Sequence, residues 1–124
     1  MCGFIGFVGL GFKNTDFAFS EALQKIEHRG PDDYGIEQGE WWKLGFRRLS
    51  ILDLSSAGHQ PMNSSTRNSI IVFNGELYNY REISKILISN GISLKGDSDT
   101  EVFLNYYEFL NGNIPLLLEK CNGM

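Results

Sequence analysis

An α+β domain, with sheets layered against helices, is the fold class this sequence predicts. Three observations lead there. Of 124 residues, 42% are hydrophobic and 21% charged, the profile of a globular chain long enough to bury a core. The hydrophobic pattern switches several times between short apolar runs and helical spacing. Those stretches follow one another as strand, helix, three strands, helix, strand, helix, helix, which departs from a uniform βαβ alternation.

Residues 3–8 (GFIGFV) form an apolar run that reads as a buried strand, with Gly3, Gly6 and Gly9 allowing close approach. The period then changes over 16–28. Phe19, Ala22, Leu23 and Ile26 fall at i, i+3, i+4 and i+7, which predicts an amphipathic helix capped by Thr15 or Asp16. Gly30 and Pro31 end it. Residues 34–38 and 41–47 read as strands joined at Gly39-Glu40. Residues 53–68 carry Ser, Gly, Pro and Asn and few apolar residues, and predict a long loop of the kind that is functional or mobile. Residues 69–73 (SIIVF) read as a buried strand. Asn79 and Glu82 form a capping box before Ile83, Ile86 and Leu87, and Asn90-Gly91 stops that helix. Ile92-Ser93-Leu94 predicts a short strand. Ser98 and Glu101 form a second box before Phe103, Tyr106, Tyr107 and Leu110, and a last helix over 114–121 begins around Pro115.

Composition narrows the function classes. Eleven basic against fifteen acidic residues give −4, with no basic cluster, so nucleic acid and anionic membranes are not expected partners. No apolar stretch approaches the ~20 residues of a membrane span. The opening MCGFIGFVGLGFKN lacks a basic segment before its apolar run, and the cytoplasm is the expected compartment. Cys2 and Cys121 cannot make a disulfide framework. With His28 and His59 they show no metal-ligand spacing, and no metal is expected. His28 fits a structural turn and Cys121 a core thiol.

Cys2 is the sharpest chemical feature. Removal of Met1 would place a thiol and a free α-amine on one residue, and an amine titrating near about 7.7–8.0 can act as base for its own side chain. A small buried hydrophobe would serve at the same position. Asn74-Gly75 follows an apolar run. The pair suits a hairpin turn, or a side-chain amide and a backbone N–H aimed at one oxyanion. Arg48 suits solvent, or a bidentate grip on a carboxylate. Asp99 suits a helix first turn, or a substrate ammonium.

Six segments then stand in one order: Met1-Cys2-Gly3-Phe4-Ile5-Gly6, HRGPD at 28–32, RLSILDL at 48–54, GHQPM at 58–62, FNGELYNY at 73–80 and SDTEV at 98–102. Together they resemble the N-terminal glutaminase domain of the asparagine synthetase family, class II glutamine amidotransferases with the N-terminal nucleophile hydrolase fold. The resemblance covers residues 1–124 as a single domain. It implies a four-layer αββα sandwich, incomplete at its C-terminal end. It implies Cys2 as nucleophile and Asn74 and Gly75 as oxyanion donors. Arg48 becomes the clamp for the carboxylate of L-glutamine, Glu76 and Asp99 contact its amine, and the backbone from Leu49 to Leu52 lines the pocket. No cofactor is implied in this domain. ATP and Mg belong to a synthetase domain, normally on the same polypeptide, that receives the ammonia and of which this sequence holds no part. A homodimer stands among the expected assemblies. Two other readings remain: an inactive fragment that packs against a partner, and a different amidohydrolase with an N-terminal cysteine.

Overall fold

A computed structural model describes residues 2–9, 16–50 and 56–124. They form a mixed α and β structure with four α-helices and two small sheets, divided into two compact units. The first unit holds the chain up to Leu54 with His59–Pro61 and Val72–Asn74, and the second holds the remainder.

The first unit is built on an antiparallel sheet of β1 (Gly3–Val8), β2 (Asp33–Gln38) and β3 (Trp42–Arg48), in the order β1-β3-β2. β2 and β3 form the expected hairpin, closed where Gly39 N–H donates to the Trp42 carbonyl at 2.9 Å. Helix α1 (Asp16–Lys25) packs on β3 at Gly45, where a Cβ would stand 2.9 Å from the Phe19 ring and 3.2 Å from Leu23. Phe19, Ala22, Leu23 and Ile26 are the residues withdrawn from solvent between 16 and 28, as their spacing predicts. The helix stops three residues short of the expected end. A 3₁₀ turn at Glu27–Arg29 replaces its last turn, and His28 Nδ1 lies 3.2 Å from the Lys25 carbonyl. Thr15, the other predicted cap, lies outside the described residues.

The second unit packs α2 (Tyr80–Ser89), α3 (Asp99–Phe109) and α4 (Ile114–Lys120) around Leu77, Ile83, Leu87, Val102, Tyr106 and Leu117. Four expectations need correction here. Ile86 is 42% exposed, because the contact stripe of α2 is narrower than its apolar residues suggest. The buried strand over 69–73 shrinks to β5 (Ile70–Ile71), half-buried and paired with β4 (Met62–Asn63) inside the segment predicted as loop. Residues 92–94 form no strand; Ile92 and Leu94 instead pack on the helical core. Neither capping box forms. The Asn79 amide bridges the Lys120 carbonyl and the Asn122 N–H, and the Glu101 carboxylate accepts from the N–H groups of Lys95 and Gly96. In both, a tertiary contact outcompetes the local one. Asn113 does cap, accepting from Leu116 N–H at 3.1 Å ahead of α4.

Glu108 on α3 ties this unit to its β4–β5 hairpin, accepting from the hydroxyls of Ser64 at 2.6 Å and Thr66 at 2.7 Å. Burial alone would raise its pKa, but the hydrogen bonds from Ser64, Thr66 and Ser69 outweigh that and hold it below its ordinary 4.5. A carboxyl depressed in the folded state stabilises the fold above its unfolded pKa and loses that contribution as pH falls through the folded value. Urea midpoints should therefore show wild type ahead of Glu108→Gln at neutral pH, with the gap narrowing below the ordinary value of 4.5. A constant gap would show that the ionised form is not what these hydroxyls hold.

Candidate active site

Cys2 stands immediately ahead of β1 and is gripped by its thiol and by its main chain. Its Sγ accepts from Leu49 N–H at 3.3 Å and reaches the Leu49 carbonyl at 3.6 Å. Its carbonyl accepts from Arg29 Nε at 3.0 Å. The thiol is partly buried and in no disulfide.

Arg48 ends β3, next to Leu49, with only 8% of its surface exposed. This removes the reading of a solvated arginine, because a buried guanidinium needs partners that use its fixed donors. The HRGPD turn sets its position. Asp32 N–H donates to the Arg48 carbonyl at 3.1 Å, and Asp32 Oδ2 accepts from Ser50 N–H at 2.8 Å. Gly30 lies so close that a Cβ would stand 2.4 Å from the Arg47 carbonyl carbon and 2.5 Å from Arg48 N. Only glycine permits this approach.

Asn74 is exposed at the end of the third segment of this unit. The residue before it is held by Gln60: Phe73 N–H donates to Gln60 Oε1 at 2.6 Å, and Gln60 Nε2 donates back to the Phe73 carbonyl at 3.4 Å. Next to Gln60, His59 Nδ1 meets Asp33 Oδ2 at 2.7 Å, at the start of β2.

Gly75, Glu76 and Asp99 belong to the second unit. Glu76 is exposed, and its main chain pairs with Met124 in both directions, at 2.8 and 3.0 Å. Asp99, half-buried in the first turn of α3, accepts from Leu77 N–H through Oδ2 at 2.9 Å and from Thr100 N–H through Oδ1 at 2.8 Å. A carboxylate offers about four acceptor positions, so this one retains capacity for a cation. Leu52 lies outside the described residues.

Cys2, Arg48 and Leu49 are thus gathered at one end of the first sheet. Sequence reasoning gave no structural part to Arg29, Asp32, His59 and Gln60, which do the holding. Their one signal was membership of short polar motifs broken by Gly or Pro. Cys121 is half-buried against the helical core, and burial raises its thiol pKa. Among the described residues no group of three His, Cys, Asp or Glu side chains could hold a metal, and no helix is long and apolar enough to cross a membrane.

A thiol held by the Leu49 backbone, one residue from a buried arginine, is an arrangement that an amide-hydrolysing class of domain can use. The chain belongs to the glutamine amidotransferase domain family, whose pattern matches residues 1–124. It is similar to glutamine-hydrolysing asparagine synthetase 1 of Bacillus subtilis, 40% identical over 111 residues, covering 86% of this chain and 17% of that protein. Glutamine-hydrolysing asparagine synthetase 2 of the same organism is 35% identical over 112 residues, 87% of this chain and 15% of the relative. The corresponding synthetase 1 of Lotus japonicus is 32% identical over 125 residues, 96% of this chain and 20% of its own. The chain therefore spans between 15% and 20% of the length of these three relatives.

The approach of Gly30 to β3 gives a test of how the site is held. Gly30→Ala should cost about 1–3 kcal/mol of stability, since backbone rather than a side chain must move. Gly6→Ala should cost less, because its Cβ would press only on the Leu44 side chain, at 3.2 Å, with the Lys43 carbonyl at an ordinary 3.9 Å. Denaturant titration of both variants decides. Equal losses would mean that the turn yields freely.

Proposed function

We propose that this chain hydrolyses L-glutamine to glutamate and ammonia through Cys2, and that the ammonia serves an ATP-dependent amidation of the asparagine synthetase type. The observation that carries the reading is the Cys2 thiol held by the Leu49 backbone next to buried Arg48, in a chain that matches the amidotransferase family throughout its length. The αββα sandwich of N-terminal nucleophile hydrolases is the architecture we infer for the whole domain. The three-stranded sheet with α1 on one face is compatible with one half of it.

In the proposed reaction Met1 has been removed. The Cys2 thiol gives its proton to its own α-amine, and the sulfur attacks the side-chain amide carbon of glutamine. Negative charge develops on the amide oxygen, where the Asn74 side chain and the Gly75 N–H donate to it. The protonated amine passes its proton to the departing nitrogen, the C–N bond breaks, and ammonia leaves a glutamyl thioester. Water then loses a proton to the amine and attacks the thioester. The thiolate leaves and is reprotonated, releasing glutamate. Arg48 holds the α-carboxylate, and Asp99 with Glu76 holds the α-ammonium, so that only a correctly oriented amide meets the sulfur.

Glutamate release by the full-length protein tests this directly. Cys2→Ala should abolish it and Cys121→Ala should leave it intact. The reverse result would move the nucleophile to Cys121 and overturn the reading.

Arg48 can be tested by substrate choice. A lysine ammonium cannot reproduce the guanidinium fork, so Arg48→Lys should lower kcat/KM for glutamine by roughly 10–100-fold. A primary amide lacking the α-carboxylate should lose little by comparison. Equal losses on both substrates would make Arg48 a folding residue.

A further inference from the structure

The Gln60 side chain imitates a piece of β-strand. It is 6% exposed, and its amide meets both polar main-chain groups of one residue, accepting from Phe73 N–H at 2.6 Å and donating to the Phe73 carbonyl at 3.4 Å. Phe73 immediately precedes Asn74. A side-chain amide that replaces a neighbouring strand in this way fixes the plane of the peptides on either side of Phe73, and the second of those peptides leads into Asn74.

Gln60 is itself anchored to the sheet that carries the thiol. Its carbonyl lies against Gly35 in the middle of β2, so close that a Cβ there would stand 2.2 Å away. His59, one residue earlier, meets Asp33 at the start of the same strand. β2 is hydrogen-bonded along its length to β3, with Asp33 opposite Arg48. Beyond Arg48, Leu49 holds the Cys2 sulfur. An unbroken series of short contacts thus runs from the sulfur through β3, β2 and Gln60 to the residue that carries Asn74. Every member belongs to the first unit.

We propose that Gln60 is a positioning residue for the oxyanion site, setting where Asn74 stands relative to Cys2. This rests on the glutaminase reading above and adds a residue to it. The physical reason is the steepness of electrostatic stabilisation. A donor helps only if it already points at the place where charge develops, and displacement of about 1 Å can cost of order 10²-fold in rate. The hydrogen bonds of Asn74 to the oxyanion exist in the transition state, so loss of Gln60 falls on kcat rather than on glutamine binding.

The test is a double-mutant cycle in the full-length protein, with kcat, KM for glutamine and the rate of Cys2 alkylation by iodoacetamide measured for each variant. Gln60→Leu removes both bonds to Phe73. Gln60→Glu keeps the acceptor for Phe73 N–H and lacks the donor to its carbonyl, and it supplies a second reading should the leucine variant fold poorly. Each should lower kcat by about 10–100-fold with KM within about threefold and alkylation unchanged, because alkylation needs the thiol but no oxyanion donor. Asn74→Ala should lower kcat by about 10²–10³-fold. The double variant should lose no more than Asn74→Ala alone, since both act on one interaction. Multiplying losses, a loss confined to KM, or slowed alkylation would each overturn the proposal and leave Gln60 as a core residue. Two distinct results bear on the reading beneath it: no glutamate release by the wild-type protein would remove the glutaminase reading, and undiminished release by Asn74→Ala would remove the oxyanion role of Asn74, each taking the role of Gln60 with it.

Discussion

The first unit's share of the candidate site depends on holding Cys2 still. A residue followed by a glycine has little intrinsic reason to stay in place, and order there must be imposed from outside. Two contacts impose it: the main chain of Leu49 on the sulfur, and the Arg29 guanidinium on the Cys2 carbonyl. Both holders are themselves fixed at one place, the end of β3. Arg29 belongs to the turn whose Gly30 lies against Arg47 and Arg48, and Leu49 follows Arg48 directly. The position of the thiol is therefore as good as the packing of that turn on that strand end. Gly30, which offers no reactive group, is central to the site for this reason.

Much of this was legible beforehand where local physics decides. The alternation of apolar runs and turn residues located β1 and the β2–β3 hairpin to within a residue or so, although β1 is not the buried strand expected: Phe4, Phe7 and Val8 are exposed. The 3.6-residue spacing of Phe19, Ala22, Leu23 and Ile26 picked out the face of α1 that meets the sheet. The failures share a cause. Asn79 and Glu101 have the residue types and spacing of caps, yet their side chains serve the Lys120–Asn122 segment and the Lys95–Gly96 loop. A cap contributes about 1 kcal/mol, so a tertiary bond of similar strength redirects the side chain without leaving a trace in the local sequence. The apolar run SIIVF misled in a related way. Its length suggests a buried strand, but only Ile70 and Ile71 pair with another strand, and that strand lies in a polar stretch that reads as loop.

The site itself was read with uneven depth. Cys2, Arg48, Asn74 and Asp99 could be singled out because thiol, guanidinium, amide and carboxylate carry recognisable chemistry. Gln60 carries none when taken alone. Its use appears only when its amide is seen on both sides of Phe73, a partner thirteen residues away. The same holds for Asp32, whose carboxylate could have been assigned to acid–base work and instead ties down Ser50. Polar residues that hold others in place resemble ordinary surface residues in a sequence, because their role lies in geometry rather than in reactivity.

These contacts also give physical content to the six short segments. Cys2, Arg48 and Asp99, and the residue ahead of Asn74, are each held by a residue from a different segment. HRGPD holds Cys2 through Arg29 and the strand end at Arg48 through Asp32. RLSILDL holds the Cys2 sulfur through Leu49. GHQPM holds the residue ahead of Asn74 through Gln60, and FNGELYNY meets Asp99 through Leu77 N–H. A segment of five to eight residues recurs by chance in unrelated chains, and none of these would identify a glutaminase alone. Within the first unit the segments lean on one another, since removing one leaves a residue of another unsupported. That dependence locates the vulnerability of Cys2 and of the chain ahead of Asn74 in their supports as much as in those residues themselves.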